Sequence, residues 1–124
     1  MKPLIYYAHS KLDYNTPREK AEIKHLSKYF RVFNPNTELG ELGAMTPYLH
    51  AVWMCHHIVV SPHVELYVGR GVFCEICAAL AYGQTVQVLC YNKAGEIIPG
   101  RFKGLSIHDP KDWKVHYGKL EVIT

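Results

Sequence analysis

Short β-branched apolar runs alternate along this chain with segments of helical periodicity, and that rhythm restricts the fold to a parallel sheet with helices packed against it. Leu4 to Ala8 is the first expected strand. Thr16-Pro17-Arg18-Glu19 then reads as a helix start: threonine caps, proline is preset for the first turn, and the glutamate completes a capping box. Ile23, Leu26 and Phe30 carry the apolar side of this helix to about Phe30, with Lys20, Lys24 and Lys28 on the wet side. Val32-Phe33 is the second strand, ended by an Asn34-Pro35-Asn36 turn. Thr46-Pro47 repeats the cap-plus-proline signal, Tyr48, Leu49, Val52 and Trp53 give the next apolar face, and His57 to Val60 is the third strand.

The stretch from Gly71 to Val86 sets a lone carboxylate, Glu75, in an otherwise apolar helix. Gly71 is expected to open this helix, Gly83 to close it in a left-handed conformation, and Thr85 to Cys90 to follow as a buried strand. Placed in the first turn, Glu75 feels the positive end of the helix dipole, which predicts an ionised carboxylate suited to act as nucleophile or electrostatic stabiliser. The plainer reading is a capping or solvated glutamate. Lys93 to Gly104 reads as a turn or hairpin connection, and Leu105-Ser106-Ile107 as a last parallel strand. The expected class is therefore α/β: one domain over 1–124, doubly wound and Rossmann-like, with a mostly parallel sheet of about five strands and helices on both faces.

Composition narrows the function. With 48% hydrophobic and 20% charged residues the chain has a globular balance, and no apolar run approaches a membrane span. The opening residues lack a secretory signal, so a cytoplasmic location is expected. A net charge of +3 from scattered lysines makes no case for duplex nucleic acid, and leaves a small anionic ligand as the partner type. Cys55, Cys74, Cys77 and Cys90 sit in apolar surroundings and are expected as reduced thiols. The Cys74/Cys77 pair has no second pair to complete a zinc site, and no metal or cofactor is expected.

In open sheets of this kind ligands sit beyond the carboxyl ends of the strands. That rule selects Tyr6, Tyr7, His9 and Ser10 after the first strand, Asn34 and Asn36 after the second, Ser61 and His63 after the third, and Glu75 behind them. Amides at Gly71 and Val72, with Arg70, suit a phosphate or another oxyanion. Because Tyr6 and Tyr7 alternate faces on a strand, one of them packs in the core.

These motifs resemble the nucleoside 2-deoxyribosyltransferase family, including its branch that hydrolyses 2'-deoxynucleoside 5'-phosphates. The resemblance rests on Ile5-Tyr6-Tyr7-Ala8-His9-Ser10, on the Trp53 to Val60 block and above all on Gly71 to Leu89, spanning roughly residues 4 to 90. It implies that Glu75 attacks the anomeric carbon of a nucleoside or nucleotide, that Tyr6 orients the Glu75 carboxylate, and that Ser10 and the Gly71 amide bind sugar or phosphate. It also implies a homo-oligomer, for which Val52, Trp53 and Tyr82 are candidate surface residues. The chain departs from the family at His57 and Gly69, where relatives carry aspartate or serine. A proton donor for the departing base is then sought among His9, His50 and His63. Two other functions share these features: a NAD-type glycohydrolase and a module that captures a nucleotide signal without chemistry.

Overall fold

The computed structural model describes residues 1–108 and 113–123. Its sheet contains β1 (Leu4–His9), β2 (Arg31–Phe33), β3 (His57–Ser61), β4 (Tyr67–Val68), β5 (Thr85–Tyr91), β6 (Ile97–Ile107) and β7 (Gly118–Ile123). The helices are α1 (Pro17–Leu26), α2 (Pro35–Glu38), α3 (Thr46–Met54), α4 (Arg70–Ala81) and α5 (Trp113–His116), with a single 3-10 turn over Lys11–Asp13. The strand order is β2-β1-β3-β5-β6-β7-β4.

The β2-β1-β3-β5 half is parallel, with Tyr6 beside Phe33 on one flank and Ile58 on the other. The remaining pairings are antiparallel. The sheet is thus mixed and seven-stranded, larger than the expected mostly parallel sheet of about five strands. Leu105-Ser106-Ile107 is the end of a long antiparallel strand, not a parallel one, because the chain folds back after Tyr91 through a turn at Asn92 to Glu96. Pro99 and Gly100 sit inside β6 rather than in a connection; a Cβ on Gly100 would fall 2.6 Å from the Cys90 sulfur and 3.1 Å from the Val88 carbonyl oxygen.

Two cores form on opposite faces of the sheet. Tyr6, Ala8, Ile58, Val60, Val86 and Val88 point towards α3 and α4, meeting Ala51, Val52, Val72, Ile76 and Ala79. Ile5, Tyr7, Val59 and Leu89 point the other way and pack with Leu26 and Ile23 of α1. This alternation follows from the two-residue period of a strand. Val52 is fully buried in the first core and supplies no surface for self-association, whereas Trp53 and Tyr82 are exposed.

Element ends show where local signals held. Thr16 caps α1 by accepting the Glu19 amide, with Pro17 in the first turn. Thr16→Ala is expected to cost about 1 kcal/mol in a denaturant unfolding experiment. A loss near zero would show the cap to be redundant. The helix stops at Leu26, not Phe30, as Phe30 only packs against the second core from the turn beyond. Thr46 lies inside α3 instead of capping it; Met45 holds the cap position and makes no side-chain bond. Gly83, at φ 73°, follows α4 in the left-handed region glycine adopts freely. No helix among the described residues is long and apolar enough to cross a membrane.

Candidate active site

The chain leaves β1 towards β2 on one side and returns to β3 on the other, so the connections after β1 and before α4 converge around one cavity of about 530 Å³. Its walls include His9, Ser10, Tyr14, Met45, Tyr48, Arg70, Gly71, Val72 and Glu75. Tyr6 lies beneath, fully buried, and its hydroxyl donates to Oε2 of Glu75. That bond spans 69 residues of chain and ties the first strand to α4.

α4 begins at Arg70, capped by Gly69 without a side-chain bond, so Glu75 stands in the second turn and not the first. Glu75 is 6% exposed, and its carboxyl group meets the hydroxyl of Tyr6, a member of the first core. Burial pushes its pKa up to about 8, from the usual 4.5, although the Tyr6 hydrogen bond pulls the other way. This corrects the expectation of an ionised carboxylate at neutral pH: the dipole effect fades beyond the first turn, and desolvation outweighs it. Tyr6 is itself shifted far upward by burial and by the adjacent Glu75 charge, which keeps it a neutral donor.

Tyr7 occupies the opposite face. Its hydroxyl donates to Glu22 at 2.5 Å and it takes no part in the cavity. His9 reaches the cavity wall, yet Nδ1 donates to the Tyr7 carbonyl at 3.0 Å and Nε2 sits 2.6 Å from Glu19 Oε2. Burial alone would raise Glu19, but hydrogen bonds from His9, the Asn15 amide and Asn36 more than offset it and hold Glu19 below the usual carboxylate range. Both ring nitrogens of His9 are thus engaged within the protein. Its ring stacks on Tyr7 at 3.8 Å and meets Tyr14 at 4.9 Å.

Asn34, Ser61, His63 and His50 lie outside the cavity, while Ser10 lines it. Asn34 caps α2 by accepting the Asn36 amide, so this segment is a helix start and not merely a turn. The Ser61 hydroxyl accepts from Arg18, and His63 pairs with Asp13 at 2.8 Å, both away from Glu75. His50 is exposed beside Trp53, with ring centroids 5.6 Å apart. Ser10 caps the 3-10 turn by accepting the Leu12 amide, which leaves its hydroxyl proton free for a ligand.

Tyr14 and Tyr48 are cavity residues that pattern reasoning did not assign to the site. Tyr48 at helical spacing reads as core, while Tyr14 sits in a polar loop with no motif around it. The Tyr48 hydroxyl donates to the Gly40 carbonyl and accepts from the Leu42 amide, fastening the loop that precedes α3. All four cysteines are free, Cys77 is exposed rather than enclosed by apolar neighbours, and no group of three metal-ligating side chains occurs among the described residues.

Chemically, the arrangement offers one oxygen acceptor at Glu75, donors at Ser10, Tyr14 and the opening amides of α4, and positive charge from Lys11 and Arg70. No protein-family model matches the chain, and no curated protein matches it either.

Proposed function

We propose that this cavity cleaves or transfers at the N-glycosidic bond of a nucleoside or nucleotide, with Glu75 as the nucleophile. One observation carries the reading: a buried carboxyl group, held by the Tyr6 hydroxyl, forms part of a cavity large enough for a small ligand. Breaking an N-glycosidic bond builds positive charge on the sugar, and a carboxylate fixed beside the anomeric carbon stabilises that charge. Attack by the free Oε1 gives a glycosyl ester; water then completes hydrolysis, or a second base completes transfer, with retention at the anomeric carbon. Tyr6 keeps the carboxylate in one rotamer, which is the positioning role the family resemblance assigns to it.

The same reading takes the parallel half of the sheet as a doubly wound, Rossmann-like unit with its ligand at the strand-order reversal. It also takes the exposed Trp53 and Tyr82 as part of a surface on which copies of the chain associate. A second reading has its own support. Because burial holds Glu75 near a pKa of about 8, most of it is neutral at pH 7, a state suited to a module that binds a nucleotide without chemistry.

Incubation with deoxynucleosides, their 5'-monophosphates and NAD, followed by chromatography for free base, separates these readings. Release by the wild type and not by Glu75→Ala supports the glycosidic reaction, and NAD as the only substrate assigns the NAD-type glycohydrolase. A fluorinated sugar analogue is expected to add its mass to Glu75. Tight binding with no release of any base overturns the enzymatic reading in favour of the binding module.

A further inference from the structure

When an N-glycosidic bond breaks, the electron pair stays on the base nitrogen, and a proton delivered there turns a poor leaving anion into a neutral one. None of the three candidate histidines, His9, His50 and His63, supplies that proton in this geometry. His9 has both ring nitrogens engaged, His63 is held by Asp13, and His50 lies outside the cavity. The Tyr48 hydroxyl is committed to the Gly40 carbonyl.

Tyr14 differs from these. It lines the cavity together with Glu75, and its hydroxyl donates to no other described residue. Its ring rests on the imidazole of His9, which the Tyr7 carbonyl and Glu19 hold from both ends. The phenol is therefore fixed in place while its proton stays unclaimed. We propose that Tyr14 is the proton donor to the departing base, an assignment that rests on the glycosidic reading above.

The step balances. One Glu75 oxygen forms the bond to the anomeric carbon as the carbon–nitrogen bond breaks, and the released electron pair takes the Tyr14 hydroxyl proton. Negative charge passes from Glu75 to the Tyr14 oxygen. In the second half, water attacks the anomeric carbon, gives its proton to the Tyr14 phenolate and restores the Glu75 carboxylate. Esterification eases this transfer by removing one of the influences that hold the phenol proton. Burial raises the Tyr14 pKa first, and the Glu75 charge raises it further; esterification removes that charge just when the phenol must release its proton. Lys11 and Arg70 at the same cavity add positive charge around the resulting phenolate.

The test compares Tyr14→Phe with wild type on two substrates sharing one sugar: the nucleoside or nucleotide that wild type cleaves, and the matching 4-nitrophenyl glycoside, whose leaving group departs without protonation. The variant keeps the ring against His9. It is expected to lose roughly 10²- to 10³-fold in kcat on the natural base and only a few-fold on the nitrophenyl glycoside. Equal losses on both substrates at an unchanged melting temperature, or no loss on the natural base, overturn the Tyr14 assignment and leave the glycosidic reading standing. A wild type that cleaves no nucleoside or nucleotide takes down both.

Discussion

Glu75→Gln is expected to abolish base release, by roughly 10⁴-fold or more as for other nucleophile removals, while making the folded protein more stable above neutral pH. The two effects share one cause. The carboxyl group has a pKa of about 8 in the fold against 4.5 ordinarily, so between those values the unfolded chain gives up a proton that the folded chain retains. Stability owed to this group is complete below 4.5 and is lost as pH rises through 8. Each pH unit across that window is worth about 1.4 kcal/mol, so the full loss is on the order of 5 kcal/mol. Glutamine has no proton to lose and keeps an oxygen for the Tyr6 hydroxyl. Melting curves of the two proteins should lie close together at pH 5 and separate by pH 8.5, with the variant higher. Parallel pH dependence in both would mean that Glu75 is already ionised in the fold.

Activity runs against stability along the same axis. On the glycosidic reading attack requires the carboxylate, so kcat/KM of the wild type is expected to climb with pH towards a plateau above about 8. A rate that falls over that range would instead assign Glu75 a proton-donating role.

Glu75 stood out as the lone charge of an apolar helix bounded by glycines, whereas its pairing with Tyr6 was legible only through the family resemblance, because strand alternation puts Tyr6 and Tyr7 on opposite faces without saying which one meets α4. The ionisation state of Glu75 was not legible, because it depends on what covers α4, and local dipole reasoning also placed the residue one turn too early. The parallel core was readable for the same periodic reasons, from Leu4 to Cys90. The antiparallel addition was hidden because Pro99, Gly100 and Gly104 mimic a connection; Gly100 is there to let β6 approach Cys90 and Val88. Tyr14 carried no local signal, since its place at the cavity comes from the path of the loop between β1 and α1.

Glu22→Ala is expected to be the most destabilising of the substitutions considered, by about 3–5 kcal/mol. Glu22, on α1, is fully buried against β1 and β5. Its Oε1 accepts from Tyr7 at 2.5 Å; its Oε2 accepts from Tyr91 at 2.5 Å and from Arg18 Nε at 3.2 Å. The same guanidinium reaches the His63 carbonyl at 2.9 Å and the Ser61 hydroxyl at 3.0 Å, so one carboxylate helps to hold α1, two strands and the connection after β3. Truncation strands a buried phenol and part of a cation without partners, and that desolvation cost dominates over the loss of packing. Adding Tyr7→Phe removes the stranded hydroxyl and is expected to recover roughly 1 kcal/mol or more of the deficit. Urea unfolding of the single and double variants measures both steps. Strictly additive losses would show that the Tyr7–Glu22 contact contributes nothing beyond burial of each side chain, and would leave the Tyr91 and Arg18 bonds as what Glu22 adds on this face of the sheet.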